Sequence, residues 1–258
     1  MDKSVEFKIE DLHFAESPLW RYCAATHKGT VRKVNEDSWA YWPDFGVALL
    51  ADGMGGHAAG DYASQKVSRC LNENVEQHSF AERLAWIEDN ISQAHEEIRS
   101  FSYNALDGRT VGSTVVVWVE AYPICAVLWA GDSRLYRYRN GTFESLTRDH
   151  SQINEMLDRG LISAEEAQSR SGGNVITRAV GARKSIFLDT QFFDLSQKDE
   201  FLLCSDGLYN SVDEQLIKEL LSSQQPIDKK ACDLMNVALR KGARDNVTFV
   251  LIEPIRND

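Results

Sequence analysis

The hydrophobic positions fall into short runs with strand character and longer runs with helical spacing. Tyr22 to Thr26, Ser38 to Trp42 and Gly46 to Ala51 are short and rich in β-branched or aromatic residues, and Pro43-Asp44 joins the last two as a hairpin. From His57 to Val75, and again from Phe80 to Ile98, apolar residues recur every three or four positions with charges between them, which predicts two long helices. Val111 to Val119, Ile124 to Ala130, Arg134 to Arg139 and Thr142 to Leu146 then read as consecutive strands. Asn140-Gly141 supplies the residues that a tight hairpin needs. Further strands are expected at Ile186 to Phe193, Glu200 to Cys204 and Asn246 to Ile252, and further helices at Asp213 to Leu221 and Ile227 to Arg240. Helices segregated from antiparallel strands predict helices packed on a large sheet system, within one mixed domain.

Residues 148–173 are the least core-like internal stretch and read as a flap: polar, with two short helical pieces and a Ser-Gly-Gly exit. Residues 1–20 precede the patterned region, and a loose terminal extension is the default for such a segment. That leaves residues 21–254 as the single folded domain.

Composition adds constraints. The chain has 258 residues, 43% hydrophobic and 26% charged, as a folded globular protein would. Its 39 Asp and Glu against 28 Lys and Arg leave a formal charge of −11, which argues against nonspecific nucleic-acid binding. The five cysteines are odd in number and never in C-x-x-C, so neither a disulfide framework nor a zinc cluster is indicated. The N-terminus lacks a signal-peptide core, and no apolar run approaches the ~20 residues that span a bilayer. A soluble, cytoplasmic protein without a membrane partner is expected, with a monomer as its oligomeric state.

Four aspartates share one placement. Asp52 closes the run Val47 to Ala51, Asp132 closes Ile124 to Ala130, Asp206 closes Phe201 to Cys204, and Asp245 opens the last strand. Taken singly, each has the ordinary explanation of a turn or capping residue. Glycines beside three of them allow close backbone approach. Together they make an oxygen-rich cluster plausible, and hard cations such as Mg²⁺ or Mn²⁺ suit it better than zinc. Arg32-Lys33-Val34-Asn35-Glu36-Asp37 is a second polar loop. Taken alone, it reads as a surface ion pair. An arginine fork there could also hold a phosphate, beside carboxylates that hold its counter-cation.

Rival chemistries are weaker. Gly53-x-Gly55-x-x-Ala58 fits a dinucleotide fingerprint, but a helix follows where a second parallel strand is needed, and Asp52 would face the pyrophosphate. Gly60 is followed by Asp61, not Lys, so no Walker loop is present. No cysteine has an arginine six positions later, which removes thiolate phosphatase chemistry.

In this order, Arg32-x-x-Asn35-Glu36-Asp37, Asp52-Gly53-Met54-Gly55-Gly56-His57, Gly112-Ser113-Thr114, Gly131-Asp132-Ser133-Arg134, Ser205-Asp206-Gly207-Leu208 and Asp245-Asn246-x-Thr248 resemble the motifs of type 2C (PPM) protein phosphatases, in their bacterial form. The resemblance implies a four-layer αββα sandwich, an α+β fold of two mainly antiparallel sheets flanked by helix pairs. It implies hydrolysis of phosphoserine and phosphothreonine in proteins, opposing a Ser/Thr kinase. Asp52 would bridge two Mn²⁺ or Mg²⁺ ions, the Gly53 carbonyl would contact one, and Asp206 and Asp245 would complete the other. Glu36 and Asp37 would bind directly or through water, and Asp132 would help hold a third, weaker ion. Arg32 would grip the phosphate, while a water or hydroxide between the metals attacks phosphorus. Met54 stands where eukaryotic relatives carry a histidine. His57, three positions later, is read as a helix-start residue and not as the general acid. Asn174 and Arg178 match a family stretch beside the flap without an assigned role. A non-catalytic binding protein on the same fold is the alternative, disfavoured by the complete acid set.

Overall fold

The computed structural model describes residues 7–55, 58–71, 79–169 and 175–255. Gly56, His57 and Asn174 lie outside them; the first predicted helix stops at Ser68, short of Val75, and residues 72–75 lie outside the described residues. The first half of the chain contributes β1 (His13–Glu16), β2 (Trp20–His27), β3 (Asp37–Trp42), β4 (Val47–Met54), α1 (Ala58–Ser68) and α2 (Phe80–Ala105). Next come β5 (Gly112–Ser113), β6 (Val115–Ala121), β7 (Ile124–Ala130), β8 (Arg134–Arg139), β9 (Thr142–Ser145), α3 (Gln152–Asp158) and α4 (Ala164–Ser169). The last part holds β10 (Asp189–Asp194), β11 (Glu200–Cys204), α5 (Asp206–Tyr209), α6 (Glu214–Leu221), α7 (Ile227–Arg240) and β12 (Val247–Pro254).

The strands form two sheets in which every pairing is antiparallel: β1-β2-β12-β11-β8-β9, and β10-β7-β6-β4-β3 with β5 added to β4. Side chains alternate between the two faces of a strand, and here both faces are covered. In β6, Val115, Val117 and Val119 pack towards α1 and α2, while Val116 and Trp118 enter the space between the sheets. In β12, Val247, Phe249 and Leu251 pack towards α6 and α7, while Val250 and Ile252 face the other sheet. This double coverage is why the strands read as continuous apolar runs. The result is the expected αββα layering, with Trp20, Trp118 and Phe201 meeting at ring separations of 5.5–5.9 Å in the central layer.

Two expectations change. Residues 7–20 are not a loose tail: β1 pairs with β2 from His13↔Ala24 to Glu16↔Arg21, and Phe7 and Leu12 are buried in the core under α7. Helix α2 outruns the predicted Ile98 by seven residues, because its last turns are exposed and carry no apolar stripe; Ile98 is its last buried residue. Its start is fixed by a capping box in which Ser79 and Glu82 satisfy each other's backbone N–H. Among the described residues, no helix is long and apolar enough to cross a membrane, and all five cysteines are free.

Candidate metal-binding active site

One end of the sandwich collects the acids. Asp37, at the start of β3, lies directly opposite Asp52 near the end of β4. Asp206 follows the end of β11, Asp245 precedes β12, and Asp132 follows β7. Antiparallel pairing turns these five chain positions into neighbours, since the end of one strand meets the start of the next.

Close backbone approach holds the cluster together. A Cβ at Gly53 would overlap the Gly60 carbonyl oxygen, and one at Gly207 would overlap that of Asn246. Gly53 therefore lets β4, the residue-36 loop and α1 meet, with its N–H donating to the Glu36 carbonyl at 3.0 Å. Gly207 seats α5 on the Asp245-Asn246 turn.

Hydroxyls and amides then lock each acid. The Ser205 hydroxyl donates to Asp37 Oδ2 at 2.8 Å and accepts from the Thr248 N–H at 3.1 Å. Thr114 Oγ1 accepts from the Asp52 N–H at 2.9 Å and shares a 2.7 Å bond with Ser133 Oγ, so the Asp52 and Asp132 loops are tied through two side chains. Asn246 Oδ1 accepts from the Glu36 N–H, while its amide donates to the Lys28 and Val34 carbonyls. Asn35 donates to Thr26 Oγ1, which in turn bonds Thr248 Oγ1. Asn35, Ser113, Thr114, Ser133, Ser205, Asn246 and Thr248 stand in the motifs with no task legible from the sequence. Most of their partners lie far away in the chain, where no local signal reveals them.

The electrostatics are those of buried acids crowded together, with Arg32 and Arg134 offsetting only part of their charge. Burial first, and then Asp37, Asp206, Asp132 and Asp245, raise Asp52 well above the ordinary carboxylate range. Asp37 and Asp206 are raised chiefly by burial, then by neighbouring carboxylates. Asp132, 4% exposed, is pushed up to about 7 by burial and by Asp206 and Asp149. Glu36 is raised mainly by burial. Arg32 pairs with Asp245 at 2.7 Å, so the arginine expected to meet phosphate lies on an expected metal ligand.

Among the described residues, no three Asp, Glu, His or Cys side chains converge into a cage for a single ion. Hydrated Mg²⁺-like ions do not need one, since they keep several waters and take one or two carboxylates each. The donor chemistry fits such ions. Glu36 Oε1, Asp37 Oδ1 and Asp132 Oδ1 are buried carboxylate oxygens with no hydrogen-bond partner, an expensive condition that a divalent cation relieves.

The flap base is anchored beside this cluster. Arg134 holds both oxygens of Asp149 at 2.8 Å and lies 3.8 Å over the Tyr209 ring, and Tyr209 donates to the Asp132 carbonyl at 2.9 Å. His150 Nδ1 accepts from the Gly131 N–H, and its ring stacks on Trp129. Arg178 pairs with Asp189. Helices α3 and α4 fall within the stretch read as a flap; residues 170–174 are outside those described.

A family model for protein phosphatase 2C matches residues 26–247. The chain belongs to the protein phosphatase 2C family. Its enzyme class is accordingly serine/threonine protein phosphatase. Serine/threonine phosphatase stp of Listeria monocytogenes is 34% identical over 235 residues, covering 88% of this chain and 93% of that protein. Serine/threonine protein phosphatase PstP of Mycobacterium tuberculosis is 32% identical over 238 residues, covering 92% of this chain and 46% of that one. Among solved structures, PppA of Pseudomonas aeruginosa superposes with a TM-score of 0.81 at 34% identity, covering 94% of this chain and all of that one. The catalytic domain of PstP in complex with two manganese ions superposes at 0.76 with 31% identity, covering 92% and 99%. These relatives support a metal-dependent protein phosphatase on an α+β sandwich.

Proposed function

We propose that this chain hydrolyses phosphoserine and phosphothreonine esters in proteins by a metal-activated water, opposing a Ser/Thr kinase in the cytoplasm and acting as a monomer. The observation that carries the chemistry is the convergence of Asp37, Asp52, Asp132, Asp206 and Asp245 at one sandwich end, with buried carboxylate oxygens left without protons to accept.

Asp52, Asp206, Asp245 and the Gly53 carbonyl would hold two ions, and Glu36 and Asp37 would complete the set directly or through water. Asp132 would contribute to a weaker third position. When bound, Mn²⁺ or Mg²⁺ supplies the charge that lowers the pKa of a water to near neutrality and offsets the charge of the phosphate. Arg32 acts on the substrate. With Asp245 engaged by a cation, its planar fork would be free to take two phosphoryl oxygens and hold the phosphate facing the acid cluster. Ser205 holds the Asp37 carboxylate in place, and Thr114 fixes the Asp52 backbone through its N–H.

The direct test is hydrolysis of a phosphothreonine peptide with Mn²⁺, with and without chelator. Turnover that requires the ion and falls by about 100-fold or more in Asp52→Asn and Asp206→Asn, with the fold intact by circular dichroism, supports the assignment. Wild-type turnover in either variant at saturating Mn²⁺ would remove that residue from the site.

A further inference from the structure

A ledge beside the acid cluster carries three cations that the mechanism does not use. Ser113, whose hydroxyl donates to the Asp52 carbonyl, exchanges two backbone hydrogen bonds with Val180, at 2.9 and 2.8 Å. The two segments meet antiparallel at that single bridge. Arg109 stands four residues before Ser113, and Arg183 and Lys184 stand three and four residues after Val180, so all three lie within a short reach of the bridge. All three are exposed, and none makes an ion pair among the described residues. Two acids of the neighbouring segments are already engaged, Asp189 by Arg178 and Glu96 by Arg99. Phe187, 74% exposed, lies on the same segment, and its carbonyl accepts from Arg178.

The ledge is built, not a passing loop. His95 is 1% exposed, and its Nδ1 accepts from the Gly181 N–H at 2.8 Å. Gly181 has φ +85°, and a Cβ there would overlap Ile98 of α2. Gly112 fits between Ala182 and Met54, so the ledge abuts the rim that follows Asp52 and Gly53. Two interstrand steps separate Val180 from β4, a distance of roughly 10 Å. An extended peptide covers about 3.3 Å per residue, so a substrate with its phosphorylated side chain at the acid cluster reaches the ledge about three to five residues away.

We infer that Arg109, Arg183 and Lys184 form a docking ledge for acidic residues of the phosphoprotein substrate that lie a few positions from the phosphorylated serine or threonine. The inference rests on the phosphatase reading above. In a chain of net charge −11, an acidic substrate is repelled by the whole molecule and needs a local cationic surface to dock. Unpaired cations are the ones free to serve, and a held backbone lowers the ordering cost of using them.

The experiment compares three substrates: p-nitrophenyl phosphate, a phosphothreonine peptide with neutral flanks, and the same peptide with Asp at three to five positions on one side or the other. Wild type is expected to prefer an acidic flank by about 10-fold in kcat/KM, mostly through KM, with the preference shrinking in about 0.5 M NaCl. The double variant Arg183→Glu/Lys184→Glu should lose that preference while keeping p-nitrophenyl phosphate and neutral-peptide turnover. Arg109→Glu, on the other segment, should reproduce the selective loss, and it decides the matter if the double variant also loses small-substrate turnover. No preference for acid on either side in wild type, or a preference that survives both variants, overturns the inference. Absence of turnover on all three substrates with Mn²⁺ overturns the phosphatase reading itself.

Discussion

Asp37 shows how much a single buried hydroxyl can matter at this site. Its Oδ2 has the Ser205 hydroxyl, its Oδ1 has no partner, and the Asp52 carboxylate stands directly across the β3-β4 pair. Ser205→Ala removes the donor and leaves a second buried oxygen unsatisfied, at a cost of about 1–3 kcal/mol in the metal-free protein. A misaligned Asp37 should also weaken metal binding by about 10–100-fold, as loss of an outer hydrogen bond to a metal ligand commonly does. Calorimetric titration with Mn²⁺ measures this without substrate; unchanged affinity would show that Ser205 serves only the strand junction. Asp52, Asp132, Asp206 and Asp245 were legible in the sequence, because each is an aspartate at a strand end and three have a glycine neighbour, whereas Asp37 stood out only through the polar loop that begins at Arg32. Ser205 was not, since its meaning lies in a partner 168 residues away and serine is common in any turn. Arg32, taken alone, reads as a surface ion pair with a phosphate fork as the alternative; it does form an ion pair, but its partner Asp245, 213 residues away, was not legible.

At the scale of elements, pattern reading succeeds where burial is two-sided or amphipathic. Ile124–Ala130, Arg134–Arg139, Glu200–Cys204 and Ile227–Arg240 coincide with β7, β8, β11 and α7, and Asn140 and Gly141 both take the positive φ of the expected hairpin. It misses β1, an exposed edge strand with no apolar alternation, and the last exposed turns of α2. The junctions between elements depend on glycines whose close contacts are made by neighbouring elements and not by their own. Gly207→Ala would drive a methyl group into the Asn246 carbonyl and push α5 from β12, costing about 1–3 kcal/mol as overpacked sites do and displacing Asp206 from Asp245. Gly160 serves as the comparison: it has φ +65° with nothing within 4 Å of a Cβ, so Gly160→Ala costs only the left-handed backbone penalty of about 1 kcal/mol. Thermal melting should show both losses, while phosphatase activity at saturating Mn²⁺ should fall only in Gly207→Ala. Equal activity in the two variants would mean that the α5-β12 junction does not position the site.

For the whole molecule, the charge of −11 is unevenly placed, and its most costly share is the acid cluster. Asp132 titrates at about 7 in the fold against 3.8 for its ordinary value, because burial and Asp206 oppose its charge. Between those values the folded chain holds a proton that the unfolded chain has released, so stability falls as pH rises through the window and the loss is complete above about 7. Asp37, Asp52 and Asp206 are raised in the same direction. Metal-free protein should therefore melt at a lower temperature at pH 8 than at pH 5.5, with Asp132→Asn showing a shallower decline. Divalent cations bind the deprotonated carboxylates of the folded state only, and so oppose that trend. At 100 times the dissociation constant they add about 2.7 kcal/mol, or roughly 5–10 °C for a chain of this size. The Mn²⁺-induced rise in melting temperature should be larger at pH 8 than at pH 5.5 at the same ion concentration. An equal rise at both would mean that the crowded carboxylates are not the groups the metal discharges.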